Sequence, residues 1–200
     1  MSLEDRHKQK MAHRKAVQDA EVASKSILEK GLLIVHTGPG KGKSTAAFGL
    51  ALRMLGRGHR VGVVQFIKGA WHSAERDALA VFAEQVSWHT MGEGFTWETQ
   101  DRDRDAAAAQ AGWAKAVELM RDPSFDMVVL DELNVVLRHG SLPLEPVLEE
   151  LRRKREMLHV VITGRGAPPG LVELADLVTD MTLVKHPFRC GVKPQKGVEF

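Results

Sequence analysis

Thr37-Gly38-Pro39-Gly40-Lys41-Gly42-Lys43-Ser44-Thr45 is the stretch whose reading decides the fold. It follows the apolar run Leu32-Leu33-Ile34-Val35 and precedes a helix-like run over 46–55. Strand, glycine loop and helix are the setting of a phosphate-binding loop. Glycines let successive backbone N–H groups turn toward an anion. The following helix aims the positive end of its dipole at the same point. Lys43 adds a mobile charge, and Ser44 offers a hydroxyl to a magnesium ion. The spacing departs from G-x-x-x-x-G-K-[ST]. The first glycine of that pattern falls on Thr37, and glycine comes one step later, at Gly38. The competing reading is a tight strand-to-helix turn without a ligand. The buried strand on one side and the Lys-Ser pair on the other favour the phosphate loop.

Two hundred residues suggest one domain with a substantial core. The apolar share is 44% and the charged share 27%, as in ordinary globular chains. A formal net charge of +2 is too small to argue for nucleic acid. The single cysteine, Cys190, excludes an intramolecular disulfide and has no local signature of a nucleophile. The opening segment lacks the apolar core of a signal peptide, and no run is long enough to span a bilayer. The expectation is a soluble cytoplasmic protein that binds neither nucleic acid nor membrane.

Residues 1–30 are rich in Lys, Arg, Glu and Gln, with sparse apolar positions at Met11, Val17, Val22, Ile27 and Leu28. They read as a solvated helical or flexible arm, with a disordered tail or a helix docking on a partner subunit as the other readings. Residues 31–200 read as the functional domain. After the loop helix, Val61-Gly62-Val63-Val64-Gln65-Phe66 is a buried strand. The pattern then predicts a helix over 73–83 and a weaker strand over 86–91. Gly92-Glu93-Gly94-Phe95-Thr96-Trp97-Glu98-Thr99-Gln100 breaks the periodicity. A long helix follows to Met120, and Met127-Val128-Val129-Leu130 is a strand that ends at Asp131-Glu132. Helices are expected over 134–139 and 144–155. Val160-Val161-Ile162-Thr163 is a strand running into Gly164-Arg165-Gly166. A short helix over 171–177, a last strand over 178–184 and an irregular tail complete the chain.

Strands alternating with helices predict an α/β fold, a parallel sheet covered on both faces. Ligands on such sheets bind beyond the C-terminal strand ends. The glycine loop, Asp131-Glu132 and Gly164-Arg165-Gly166 all follow predicted strands, so they should converge. Asp131 and Glu132 have the character of acids that bind Mg²⁺ beside the Ser44 hydroxyl; capping the next helix is the other reading. Arg165 suits either a phosphate or a salt bridge. Phe95 and Trp97 suit either a core anchor or a loop that covers a flat ligand. His36 borders the glycine loop as a packing or capping residue. The role of His186 is open on residue grounds.

Several of these stretches are together familiar. The glycine loop, Val63-Val64-Gln65-Phe66-Ile67-Lys68-Gly69, Gly94-Phe95-Thr96-Trp97-Glu98-Thr99 and Val128-Val129-Leu130-Asp131-Glu132-Leu133 stand in family order. So do Ile162-Thr163-Gly164-Arg165-Gly166, Val184-Lys185-His186 and Gly191-Val192-Lys193. From Gly31 onward the chain resembles the P-loop type of corrinoid adenosyltransferase of bacterial cobalamin synthesis and salvage. Two positions depart from that pattern: Pro39 replaces an expected Asn, and Ser44 a usual Thr. Ser44 keeps the hydroxyl, whereas Pro39 has no N–H to give a phosphate.

The resemblance implies a RecA-like P-loop fold and a homodimer. It implies transfer of the 5′-deoxyadenosyl group of ATP, the co-substrate, to the cobalt of a reduced corrinoid, with triphosphate leaving. ATP is bound in an orientation reversed from that in ordinary P-loop enzymes. The resemblance places Gly38, Pro39, Gly40, Lys41, Gly42, Lys43, Ser44, Thr45 and Arg165 at ATP. Lys43, Lys41 and Glu132 take the catalytic role, and Ser44, Asp131 and Glu132 hold Mg²⁺ or Mn²⁺. Phe95, Trp97 and His186 lie at the corrinoid, and a flavin-type reductant protein supplies electrons. The alternatives on residue grounds are a P-loop NTPase or small-molecule kinase, with Glu132 orienting water or a hydroxyl substrate accepting phosphate, and a nucleotide-binding regulator whose basic arm holds a partner.

Overall fold

In the computed structural model, residues 2–24, 29–67, 74–91 and 102–198 are described. The aromatic segment with Phe95 and Trp97 lies outside them. Six strands form one sheet: β1 (Leu33–Thr37), β2 (Val61–Gln65), β3 (Val86–Thr90), β4 (Met127–Asp131), β5 (His159–Thr163) and β6 (Leu177–Asp180). Their order is β3-β2-β4-β5-β1-β6, and every pairing is parallel. The helices are α1 (Leu3–Ser24), α2 (Lys43–Leu55), α3 (Ala74–Leu79), α4 (Arg102–Arg121), α5 (Leu133–Arg138), α6 (Leu144–Arg152) and α7 (Pro169–Leu174).

A strand's side chains alternate between two faces, and here both faces are apolar. Leu33, Val35, Val64, Val128, Leu130, Val160 and Ile162 join residues of α4, α5, α6 and α7 in one core. Ile34, Val61, Val63, Met127, Val129 and Val161 join Ala47, Phe48, Ala51 and Leu55 of α2 in the other, with Leu79 of α3. Removing each such side chain from water contributes roughly 1.5–3 kcal/mol. That is why continuous apolar runs rather than alternating ones mark these strands.

Helix α2 begins at Lys43, earlier than the apolar pattern suggests, so Lys43 and Ser44 lie in its first turn. The expected helix over 73–83 is α3 followed by a 3₁₀ turn, Ala80–Phe82. The helix expected to reach 155 stops at Arg152. Its basic continuation folds back as a clamp. Lys154 Nζ donates to the carbonyls of Gly31 and Leu158, at 2.6 and 3.0 Å, and Arg155 donates to those of Met120 and Phe125. Helix α7 also ends early, at Leu174, and Leu177 opens the next strand.

The last strand, expected over 178–184, stops at Asp180. Its partner β1 turns away into the glycine loop after Thr37, so the ladder has nothing left to pair with. Met181 N–H makes the final bond, to the Thr37 carbonyl at 2.9 Å. Beyond it the tail is irregular apart from a short 3₁₀ turn, Pro187–Cys190.

Helix α1 contributes no buried residue, and Leu3, Met11, Val17 and Val22 are all exposed. Deleting residues 1–24 should therefore leave the sheet domain folded, with its thermal midpoint within about 4 °C of the full chain, the shift from roughly 1 kcal/mol. Circular-dichroism melts of the two chains check this, and a larger drop would show that α1 is part of the folding unit.

Candidate active site

Parallel strands deliver their C-terminal ends to one edge. On the α2 side of that edge the last residue of each strand is polar. By register the row runs Thr90, Gln65, Asp131, Thr163, His36, Thr179. Leu130 pairs with Ile162, so the next residues, Asp131 and Thr163, fall side by side. One residue pair earlier on the same face the sheet is apolar core, with Val63, Val129, Val161 and Ile34. The site sits on this boundary.

The glycine loop closes over the β1 end of the row. Gly38 and Gly40 are buried, and both are required by close approach. A Cβ on Gly38 would lie 2.1 Å from Asp180 Oδ1, and φ there is 95°. A Cβ on Gly40 would lie 2.6 Å from the carbonyl oxygens of Met181 and Thr182. Gly40 N–H donates to the Met181 carbonyl at 2.6 Å. The first half of the loop is thus fastened to the end of β6, and exposed Pro39 has no N–H. Donors for an anion come from the second half, where the first-turn amides of α2 have no acceptor within the helix.

Lys43 is only 7% exposed. Its Nζ donates to the Gly38 carbonyl at 2.9 Å and to that of Gly40. Burial, and then the Arg165 guanidinium, pull its amine below the ordinary lysine range, with Glu132 and Asp180 opposing. Lys41 and Thr45 are exposed on the loop and on the first turn of α2.

Asp131 is 2% exposed, and its carboxylate is held from several sides. Thr163 Oγ1 donates to Oδ1 at 2.7 Å, Gln65 Nε2 approaches Oδ2 at 3.3 Å, and the Ser44 hydroxyl also hydrogen-bonds it. Burial raises its pKa, and these three hydrogen bonds work against the rise. Glu132 begins α5 in the left-handed region, with φ 63° and ψ 17°, the one non-glycine residue with positive φ among the described residues. Its carboxyl is pushed up to about 7, first by burial and then by Asp131, while Lys43, Arg165 and Arg138 pull it down.

The structure therefore brings Lys43, Ser44, Asp131, Glu132 and Arg165 into one electrostatic neighbourhood, as their spacing predicts. Arg165 is exposed on the loop after β5. His186 is engaged locally, its Nδ1 accepting from Phe188 N–H at 3.2 Å. Asp131 and Glu132 do not cap α5 with their side chains; the residue at that cap, Glu132, has no side-chain capping bond.

The sequence reading omitted Gln65, Thr163, Asp180 and Asn134. The first two carry a usable signal, a polar residue closing an apolar strand. Asn134 carries none: its Nδ2 donates to the Gly164 carbonyl at 2.9 Å and the His36 carbonyl at 3.3 Å, a link visible only in three dimensions.

Only oxygen donors gather here: the Ser44 hydroxyl and two carboxylates. That set suits a hard cation such as Mg²⁺, which keeps waters and phosphate oxygens as most of its ligands. Among the described residues no cluster of three or more His, Cys, Asp or Glu could hold a metal by itself.

Residues 29–200 match the family described as ATP:corrinoid adenosyltransferase BtuR/CobO/CobP. The chain belongs to this family. Residues 1–22 match the cob(I)alamin adenosyltransferase N-terminal segment. The corrinoid adenosyltransferase of Pseudomonas aeruginosa is 55% identical over 197 residues, covering 98% of this chain and 97% of that protein. That of Sinorhizobium sp. is 51% identical over 98% of this chain and 92% of its own. Corrinoid adenosyltransferase CobA of Salmonella typhimurium is 45% identical over 98% and 99%. In this adenosyltransferase Lys43 stands in the first turn of α2, and the acid pair Asp131-Glu132 stands at the end of β4. Among the described residues no helix is long and apolar enough to cross a membrane.

His36 gives the site a pH-sensitive foundation. It is 6% exposed, and among the described residues neither ring nitrogen has a hydrogen-bond partner. Burial lowers its pKa from the ordinary 6.5. The unfolded chain then takes up the proton before the folded one, so stability is lost as pH falls below 6.5 and is untouched above it. His36→Phe, which removes both unpartnered nitrogens, should raise the thermal midpoint more at about pH 5 than at about pH 8. Melts of both proteins at the two pH values check the difference, and equal shifts would contradict it.

Proposed function

We propose that this chain transfers the 5′-deoxyadenosyl group of ATP to the cobalt of a reduced corrinoid, releasing triphosphate. The observation that carries this reading is the family match across the domain, with Lys43 and Glu132 brought together beside the glycine loop.

The cobalt of the substrate attacks C5′ of the ribose in line with the departing oxygen. The Co–C bond forms as the C5′–O bond breaks, and the bonding electron pair of the latter leaves with the triphosphate. Cobalt goes from Co(I) to an alkyl-Co(III). No proton moves, so no general base is needed. The leaving group collects negative charge. Lys43, Lys41 and the first-turn amides of α2 are the groups that stabilise it, and Arg165 adds a further cation. Lys43 reaches the phosphates by exchanging the Gly38 and Gly40 carbonyls for a charged acceptor, a stronger hydrogen bond.

Ser44, Asp131 and Glu132 would hold Mg²⁺ or Mn²⁺ at the triphosphate. When bound, such an ion offsets part of the charge on the leaving group. Asp131 contributes by orienting the Ser44 hydroxyl, since its own oxygens are already engaged. Phe95 and Trp97, with His186, form the corrinoid side, where an apolar wedge that excludes the lower axial ligand would ease reduction of Co(II). Electrons come from a flavin-type reductant protein. The working unit is a cytoplasmic homodimer of the 31–200 domain, with 1–30 as its arm. A P-loop NTPase or kinase would need water or a hydroxyl in line with phosphorus; the family reading points to C5′ instead.

Incubation with ATP, Mg²⁺ and a chemically reduced corrinoid should yield a light-sensitive adenosylated corrinoid. Phosphorus NMR should show triphosphate; ADP with stoichiometric orthophosphate would sink the reading. At saturating ATP and Mg²⁺, Lys43→Ala should lose at least ~10²-fold in rate, the usual scale for a preorganised electrostatic group. Activity within a few-fold of the parent enzyme would remove Lys43 from the site.

A further inference from the structure

Thr163 ends β5 at the middle of the polar row and is fully buried. Its hydroxyl is committed in both directions. It donates its one proton to Asp131 Oδ1 at 2.7 Å and accepts the Glu132 N–H at 3.0 Å. The second bond is notable because of what it holds. A side-chain-bearing residue in the left-handed region is sterically disfavoured and persists only where its surroundings fix it. Glu132 is such a residue, and its amide is fastened to Thr163. In that turn Glu132 lies close enough to Lys43 and Arg165 for each to act on its charge.

The first bond bears on the other acid. With Thr163 on Oδ1 and Gln65 near Oδ2, the Asp131 carboxylate cannot rotate without breaking a hydrogen bond. Its remaining capacity goes to the Ser44 hydroxyl at the head of α2. One buried hydroxyl thus joins the acid pair on β4 to the strand that lies between β4 and the loop strand β1.

We propose that Thr163 is a positioning residue of the nucleotide–metal site: its hydroxyl fixes the Asp131 carboxylate that presents Ser44 and clamps the Glu132 backbone in its left-handed turn. The proposal rests on the metal role given above to Ser44, Asp131 and Glu132. Thr163 touches neither phosphate nor metal in it. Its effect passes through the two acids, as that of an outer hydrogen-bond partner passes through a metal ligand.

Thr163→Val keeps the shape and removes the hydroxyl; Thr163→Ser keeps the hydroxyl and removes the methyl. The test uses the full chain, with Mn²⁺ as the probe. Electron paramagnetic resonance reads Mn²⁺ held at the protein with ATP, measured against the Mn²⁺–ATP complex formed without protein, and calorimetry reads ATP binding without metal. Thr163→Val should weaken Mn²⁺ binding at least ~10-fold, the scale for loss of an outer-shell partner, while metal-free ATP binding stays unchanged. Thr163→Ser should restore Mn²⁺ binding. Should Thr163→Val fail to fold, Thr163→Cys, close in size and a weak hydrogen-bonder, is read by the same signal and should show the same loss.

Mn²⁺ binding by the hydroxyl-free variant at the parent level would overturn the proposal. So would equal loss in folded Thr163→Ser, which would assign the effect to packing. A parent enzyme that binds no Mn²⁺ with ATP would overturn the metal reading itself, and the proposal with it.

Discussion

Six strands that all run one way must end on one edge, and this constraint organises the molecule. The four central strands are apolar through their middles, because both faces of the sheet are covered there and a polar side chain inside would lose its water. Toward the C-terminal ends the cover stops and polarity becomes affordable. Thr90, Gln65, Asp131, Thr163, His36 and Thr179 fall in one line for this reason. Residues far apart in the chain become neighbours there without any long loop having to carry them.

Charge in the site is balanced by crowding rather than by simple pairs. Burial works against the charged forms of Lys43, Asp131 and Glu132 alike. Each is then eased by something specific: loop carbonyls for the lysine, three hydrogen bonds for Asp131, nearby cations for Glu132. A polyanion entering such a site meets a lysine whose present acceptors are only neutral carbonyls. A phosphate oxygen is the better partner, so the desolvation of Lys43 favours exchange toward the ligand.

Much of this was legible in the chain itself. The glycine loop between an apolar run and a helix placed β1, α2 and Lys43, and the acids after Met127-Val128-Val129-Leu130 placed Asp131 and Glu132 on the same edge. Continuous apolar runs located the core strands because burial on both faces leaves that pattern. The helix ends were less legible. Lys154 and Arg155 read as one more helical turn, yet their heads are drawn to carbonyls of other segments. The overlong last strand failed for a similar reason, since a strand's length depends on where its neighbour turns away. Gln65, Thr163 and Asn134 are the largest gap at the site. Their importance lies in which atoms they meet, and a single polar residue after an apolar run does not specify that.

The fastening of Gly40 to Met181 has a consequence for how the chain is made. The nucleotide loop lies near the start of the domain, but its shape depends on a strand close to the end. As synthesis proceeds from the N-terminus, β1 and α2 emerge early and the loop stays unfinished until β6 arrives to receive it. A contact between such distant parts of the chain forms only once both have been made, and closing the long loop between them adds entropic cost. A nascent or truncated chain can thus possess the whole glycine motif and still lack a phosphate-binding loop.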